Sequence, residues 1–362
     1  MAAMTGGWGA RLPASRRLRV AARVVLGLIV LAAVAWRVGA EPFVRGLLSV
    51  DVRAVIAVTC LTTIATVAAS WRWQVVAQRL GARITLGRAI GMYYRSQFLN
   101  TVLPGGVLGD VHRALAHGSS AGDVARASRA VAIERTAGQA VQVVLAVLVV
   151  AFAGAEFAGQ LLAVLIVLLV ALVAVSAAVV ASARIRRRVR HEMSEVRVGV
   201  GTGLALIQVC VSSVVVVGCH VAAFGVAIAA VGEHLSPLRL AALALVVLLG
   251  ASIPLNVGGW GPREGIAGWA FATAGLGSAA GVAASTTFGV LIMIAIAPGA
   301  AVALAGVVRA RRRLSGSAPQ PELLSPSEPP CQPEPQRVRL AAGTLPGAAS
   351  ALAIHTRGGR VS

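Results

Sequence analysis

Charged and aromatic side chains are both scarce in this sequence. Charged residues make up 13% of its 362 positions and aromatics 4%, and a soluble chain of this size carries about twice that charge. This excludes a water-soluble globular domain. With 57% hydrophobic residues and a mean hydropathy of +0.82, the composition is that of a polytopic membrane protein.

Acidic residues are rarer still, 13 against 33 basic ones, giving a net charge of +20. No soluble basic domain with interleaved aromatics is present, so the charge does not read as a nucleic-acid footprint. It reads as orientation and contact with anionic headgroups. Cysteine is limited to Cys60, Cys210, Cys219 and Cys331, without a Cys-x-x-Cys pair to hold a metal or run redox chemistry, and these read as packing residues. There is no Gly-x-x-x-x-Gly-Lys-Ser/Thr loop, no Asp-x-Asp pair and no metal-ligand cluster. No catalytic residue, cofactor or metal is therefore expected, and the chain reads as a non-enzyme.

What is abundant is apolar sequence in runs of about 20 residues, the length that crosses ~30 Å of hydrocarbon as a helix. Full spans are expected at Val20–Trp36, Ala54–Trp71, Val131–Gly154, Leu161–Ala183, Val200–Val231 and Val282–Val308. The fifth is long enough to tilt or break. The first ends in Trp36-Arg37 without a small-residue cleavage pattern, so it reads as a retained helix. Residues 1–19 form a basic cytoplasmic N-terminus. Residues 314–362, rich in Pro, Ser, Gly, Glu and Gln, are expected to be a disordered cytoplasmic tail.

Two further apolar stretches, Leu86–Leu115 and Leu240–Gly275, are broken by Gly and Pro and carry charge. Arginine placement assigns their sides. The flanks holding Arg11–Arg23, Arg184–Arg190 and Arg309–Arg313 belong on the cytoplasmic side, as does the stretch with Arg72, Arg79, Arg83, Arg88, Arg126 and Arg129. Parity then requires Leu86–Leu115 to enter and leave from inside, and Leu240–Gly275 to begin and end outside. The expected fold is an all-α integral membrane protein, a polytopic helical bundle of about six full spans plus two broken or re-entrant helical hairpins facing opposite leaflets. Discontinuous helices meeting near the midplane are the geometry of transporter sites. No convincing sequence repeat relates the two halves.

In the first break Pro104 removes a backbone donor, and Gly105 and Gly106 allow conformations other residues resist. A helix is expected to restart near Asp110, with Arg113 on the same face. Two readings stand at this point: an anion-friendly helix start, or a plain Asp110 cap with Arg113 snorkelling to headgroups. In the second break Gly258, Gly259 and Gly261 loosen the backbone, Pro262 suits a first helical turn, and Arg263-Glu264 set opposite charges on it. Arg263 needs a partner or a wet cavity at membrane depth. Glu134-Arg135 opens the third span, where interfacial charge is tolerated, and these two stand in a second tier. Gln208, Ser212 and Ser213 read as helix-to-helix bonding residues, and His220 as a weak proton-relay candidate.

Taken together, Ser70-Trp71-Arg72-Trp73, Phe98-Leu99-Asn100, Leu103-Pro104-Gly105-Gly106, Gly109-Asp110-Val111-His112-Arg113, Glu134-Arg135 and Gly258-Gly259-Trp260-Gly261-Pro262-Arg263-Glu264-Gly265 resemble the transmembrane region of lysylphosphatidylglycerol synthases, the flippase-like or YbhN-type (UPF0104) family. The resemblance runs from Val20 to about Arg313, with Val107-Leu108 and Trp260 as local variations. It implies a membrane domain that moves phospholipid or other lipid-linked anions between leaflets of the plasma membrane. Arg113 and Arg263 are the expected phosphate ligands, Asp110 and Glu264 their counter-ions, and Asn100, Gly105, Gly106, Gly258 and Gly259 the remaining site residues. In larger members a soluble aminoacyl transferase follows; residues 314–362 are too few and too polar to build one. The expected partners are anionic membrane lipids and, in addition, a protein of envelope biosynthesis. The alternatives are a membrane-embedded glycosyltransferase using a polyprenyl-phosphate sugar, for which Asp110 or Glu264 would supply the base, and a non-catalytic envelope scaffold.

Overall fold

The computed structural model describes residues 38–103, 106–154, 194–253 and 260–306, together with scattered positions before and between them. The chain divides into units 1–313 and 314–362, and the second lies outside the described residues. So do the expected spans Val20–Trp36 and Leu161–Ala183, apart from isolated positions.

The described helices are α1 (Glu41–Leu48), α2 (Val52–Arg79), α3 (Leu86–Val102), α4 (Leu108–Ala121), α5 (Val124–Phe152), α6 (Gly203–Ala230), α7 (Pro237–Ala251), α8 (Pro262–Thr273) and α9 (Ser278–Ala295). Of these α2, α5, α6 and α9 are long and apolar enough to span a membrane. Their outer faces carry exposed Ile56, Ile64, Val144, Leu148, Ile207 and Val211, as expected where the surrounding solvent is lipid. The all-α polytopic architecture is therefore as the composition indicates.

Local signals explain where the long helices begin. Asp51 caps α2 by accepting from the Ala54 amide at 2.7 Å, and Asp123 caps α5 by accepting from Arg126 at 2.9 Å. Three expectations are corrected here. The third span starts at Val124 rather than Val131, which moves Glu134 and Arg135 about three turns into the helix. The fifth span, long enough to tilt or break, does not break: α6 is one continuous helix of 28 residues. The last span is interrupted, because α9 ends at Ala295, a turn covers Ile296 and Ala297, and helix resumes over 298–306. Pro298, without an amide hydrogen, accounts for the break. Cys60 is exposed rather than packed.

Both broken stretches fold back as antiparallel hairpins. At 17 and 14 residues, α3 and α4 are about 25 and 21 Å long; α7 and α8, at 15 and 12, are about 22 and 18 Å. Each is short of the ~30 Å needed to cross. In the first hairpin Ser96 pairs with Asp110, and Asn100 Oδ1 accepts from the Gly109 amide at 2.7 Å. In the second, Arg239 near the start of α7 donates to the Ala274 carbonyl just beyond α8.

The hairpins approach from opposite ends of α2. Phe271, Ala274 and Leu243 of the second share a core with Ala54 and Val58 at the start of α2, and Ala89, Tyr93 and Ala114 of the first pack with Trp73, Val76 and Ala77 near its end. Glycine permits the close approach. A Cβ on Gly109 would collide with the Ser96 carbonyl, whereas one on Gly250 would meet only the Ile266 side chain. Gly109→Ala is therefore expected to cost about 1–3 kcal/mol and Gly250→Ala less, read as melting temperature in detergent.

Candidate functional site

All 33 basic residues of the chain are arginine, and three of them meet around two carboxylates inside the bundle. Arg72 of α2 donates through Nε and Nη2 to Glu134 Oε1 at 3.0 and 2.6 Å, and through Nη1 to Ser213 of α6 at 2.9 Å. Arg113 of α4 donates to the other carboxylate oxygen of Glu134 at 3.0 Å and to Asp110 at 3.1 Å. Arg135 of α5 pairs with Asp110 Oδ2 at 2.7 Å. Tyr93 adds a hydroxyl donated to Glu134 at 3.2 Å. Five helices are thereby tied to two carboxylates.

Glu134 has no exposed surface, so its two guanidinium partners are what make its charge tolerable at this depth. Arg113 is 1% exposed and lies between two aromatic faces, 4.5 Å from the Trp73 ring centroid and 4.3 Å from that of Tyr93. These faces offset its desolvation. Gly138 of α5 leaves room for Arg72, since a Cβ there would press on its guanidinium.

The second hairpin builds a smaller version of the same chemistry. Pro262 opens α8, and Gly261 before it has φ +135°, a region open to glycine. Glu264 reaches back to the Gly261 amide at 2.7 Å and accepts from Arg263 Nε at 2.9 Å. Ser285 of α9 binds both, 3.0 Å from Arg263 Nε and 3.2 Å from Glu264 Oε1. A Cβ on Gly289 would press on the Arg263 guanidinium, so glycine leaves that side chain its present position.

A cavity of about 470 Å³ joins the two tips. Its charged lining is Arg72, Asp110, Arg135 and Arg263; Gly106, with φ +63°, lines it from the first break. A second cavity of about 110 Å³ brings Thr101 of the first hairpin together with Ile253, Trp260 and Arg263 of the second. At about 470 Å³ the larger cavity is within the size range of small-molecule sites.

The sequence-derived candidates divide under this geometry. Asp110, Asn100, Gly106 and Arg263 are at the cavity or tie its rim; Glu264 and Arg113 are buried behind it. Gly105, Gly258 and Gly259 lie outside the described residues. Asp110 does not cap α4: its carboxylate accepts from Ser96, Asn100, Arg113 and Arg135. Arg113 does not snorkel, being sealed by Trp73 and Tyr93. Glu134 and Arg135 move from the periphery to the centre. Arg72, expected at a cytoplasmic flank, is 5% exposed within the network. Ser213 bonds between helices as its type suggests; Tyr93, Ser96 and Ser285 also join the site, and their only local signal is a polar side chain on an apolar helix. His220 lines the cavity and donates through Nδ1 to the Val216 carbonyl of its own helix at 2.7 Å.

A polytopic helical membrane protein in which two opposed hairpins converge on an arginine-lined cavity is the class that fold and site define. Residues 20–310 match the family model described as Lysylphosphatidylglycerol synthase TM region, and the chain belongs to that family. No curated protein and no solved structure matches it.

Proposed function

We propose that this protein moves an anionic phospholipid or other lipid-linked anion between the leaflets of the plasma membrane, with both termini cytoplasmic. The observation that carries this reading is the cavity shared by the two hairpin tips, where Asp110 of the first meets Arg135 of α5 and the second presents Arg263, held from behind by Glu264. A lipid phosphate displaces Asp110 from Arg135 and engages Arg263, exchanging one set of charge-assisted hydrogen bonds for another. When the cavity is empty, Asp110 and Glu264 hold the same guanidiniums. Arg72, Arg113 and Glu134 hold the helices in register and do not need to touch lipid.

A glycosyltransferase needs a carboxylate free to act as base. Asp110 is already engaged by four partners and Glu264 has no exposed surface, which favours translocation. In proteoliposomes the full chain is expected to redistribute fluorescent phosphatidylglycerol across the bilayer. Arg263→Lys, which keeps the charge but loses the forked geometry, is expected to slow it about tenfold. No redistribution above empty liposomes, or a sugar product released from a polyprenyl donor, would overturn the reading.

A further inference from the structure

The charge inventory of the site narrows which lipid it takes, on the basis that lipid phosphates pass through the cavity as proposed above. Four guanidiniums, Arg72, Arg113, Arg135 and Arg263, face three carboxylates, Asp110, Glu134 and Glu264. Counting histidine as uncharged, this cluster, drawn from the described residues, carries one positive charge in excess. The tip segments 103–107 and 252–261 contain no ionisable residue in the sequence, so they do not alter the count. An uncompensated charge at membrane depth is costly, and a bound monoanion removes it. A zwitterionic headgroup leaves the excess in place, and a cationic one adds to it. A phosphomonoester, carrying about −1.5 to −2 near neutral pH, overshoots.

The rest of the polar lining is uncharged. Gln139 and Gln142 stand three residues apart on one face of α5, and Gln97 of α3 accepts from the Thr66 hydroxyl at 3.1 Å, which leaves its amide NH2 for the cavity. Amides donate and accept, as hydroxyl-bearing groups require. The one carboxylate in the lining that could pair with a headgroup amine is Asp110, whose oxygens are already shared among four donors.

We propose that the cavity selects a monoanionic phosphodiester lipid whose headgroup bears hydroxyls and no amine. A glycerol headgroup and a sugar on a polyprenyl phosphate share this chemistry. The test is native mass spectrometry of the full chain in detergent, titrated separately with phosphatidylglycerol, glucosyl polyprenyl phosphate, lysylphosphatidylglycerol and phosphatidic acid. One or both of the first two are expected to bind about tenfold tighter than the last two, and which of them wins identifies the source. Gln139→Leu with Gln142→Leu is expected to lower that binding about tenfold while leaving phosphatidic acid unchanged. Equal binding of lysylphosphatidylglycerol or phosphatidic acid, or indifference to the glutamine changes, overturns the headgroup assignment and leaves translocation standing. Binding of none of the four removes both.

Discussion

Glu134→Ala is expected to abolish a stable fold. The substitution strips the acceptor from Arg72 Nε and Nη2, from Arg113 Nη2 and from the Tyr93 hydroxyl in one step. Breaking a buried ion pair by removing one partner costs about 3–5 kcal/mol, because the charge left behind is uncompensated, and here Arg72 loses its one carboxylate while Arg113 is left sharing Asp110 with Arg135. That is a large share of the about 5–15 kcal/mol by which folded domains are stable. Glu134→Gln keeps the volume and loses the charge, so it is expected to fail as well. Thr63→Ala, which removes only an exposed hydroxyl that accepts from Tyr94, is expected to be nearly neutral. Size-exclusion profiles and melting temperatures of the detergent-purified variants check all three.

The second large effect separates two neighbouring arginines that share Asp110. The Arg135 side chain is 43% exposed and that of Arg113 has no exposed surface, so their substitutions should fail in different ways. In Arg135→Gln, Asp110 keeps Ser96, Asn100 and Arg113. The fold is expected to survive, while redistribution of phosphatidylglycerol falls at least about tenfold, the worth of one charge-assisted hydrogen bond of about 1.5–3 kcal/mol. In Arg113→Gln the contacts to Trp73 and Tyr93 and a guanidinium partner of Glu134 go together. Stability is expected to drop by about 3 kcal/mol or more before any lipid is added. The reverse pattern, a soluble but inactive Arg113→Gln and an unfolded Arg135→Gln, would return Arg113 to the role of phosphate ligand.

Why the sequence points to Arg113 rather than Arg135 is a matter of range. Interactions within one turn are legible: Asp110 with Arg113, Arg263 with Glu264, and Pro262 at a helix start all follow from short spacing. The two hairpins are legible as well, because glycine and proline in apolar sequence demand a backbone that leaves the helix. Glu134 is different. Arg126 and Arg129 make the segment before Val131 look interfacial, and only the Asp123 cap shows that α5 is already running there. Arg72 sits beside two tryptophans and ahead of Arg79, a pattern that also fits a membrane boundary. Its partner is 62 residues away and its space is provided by Gly138 on another helix. Such pairings arise from how α2, α5 and α6 pack, and no local rule contains them.

The central claim is that two hairpins from opposite ends of the bundle meet at one lipid pathway. Thr101 on the first tip and Ile253 on the second line the same small cavity, so Thr101→Cys with Ile253→Cys, in a chain whose four native cysteines are alanine, places one thiol on each tip. In proteoliposomes a short, reducible cross-linker is expected to join them and stop redistribution of phosphatidylglycerol, and reduction is expected to restore it. Failure of the two thiols to link, or undiminished redistribution with the link in place, would contradict the account.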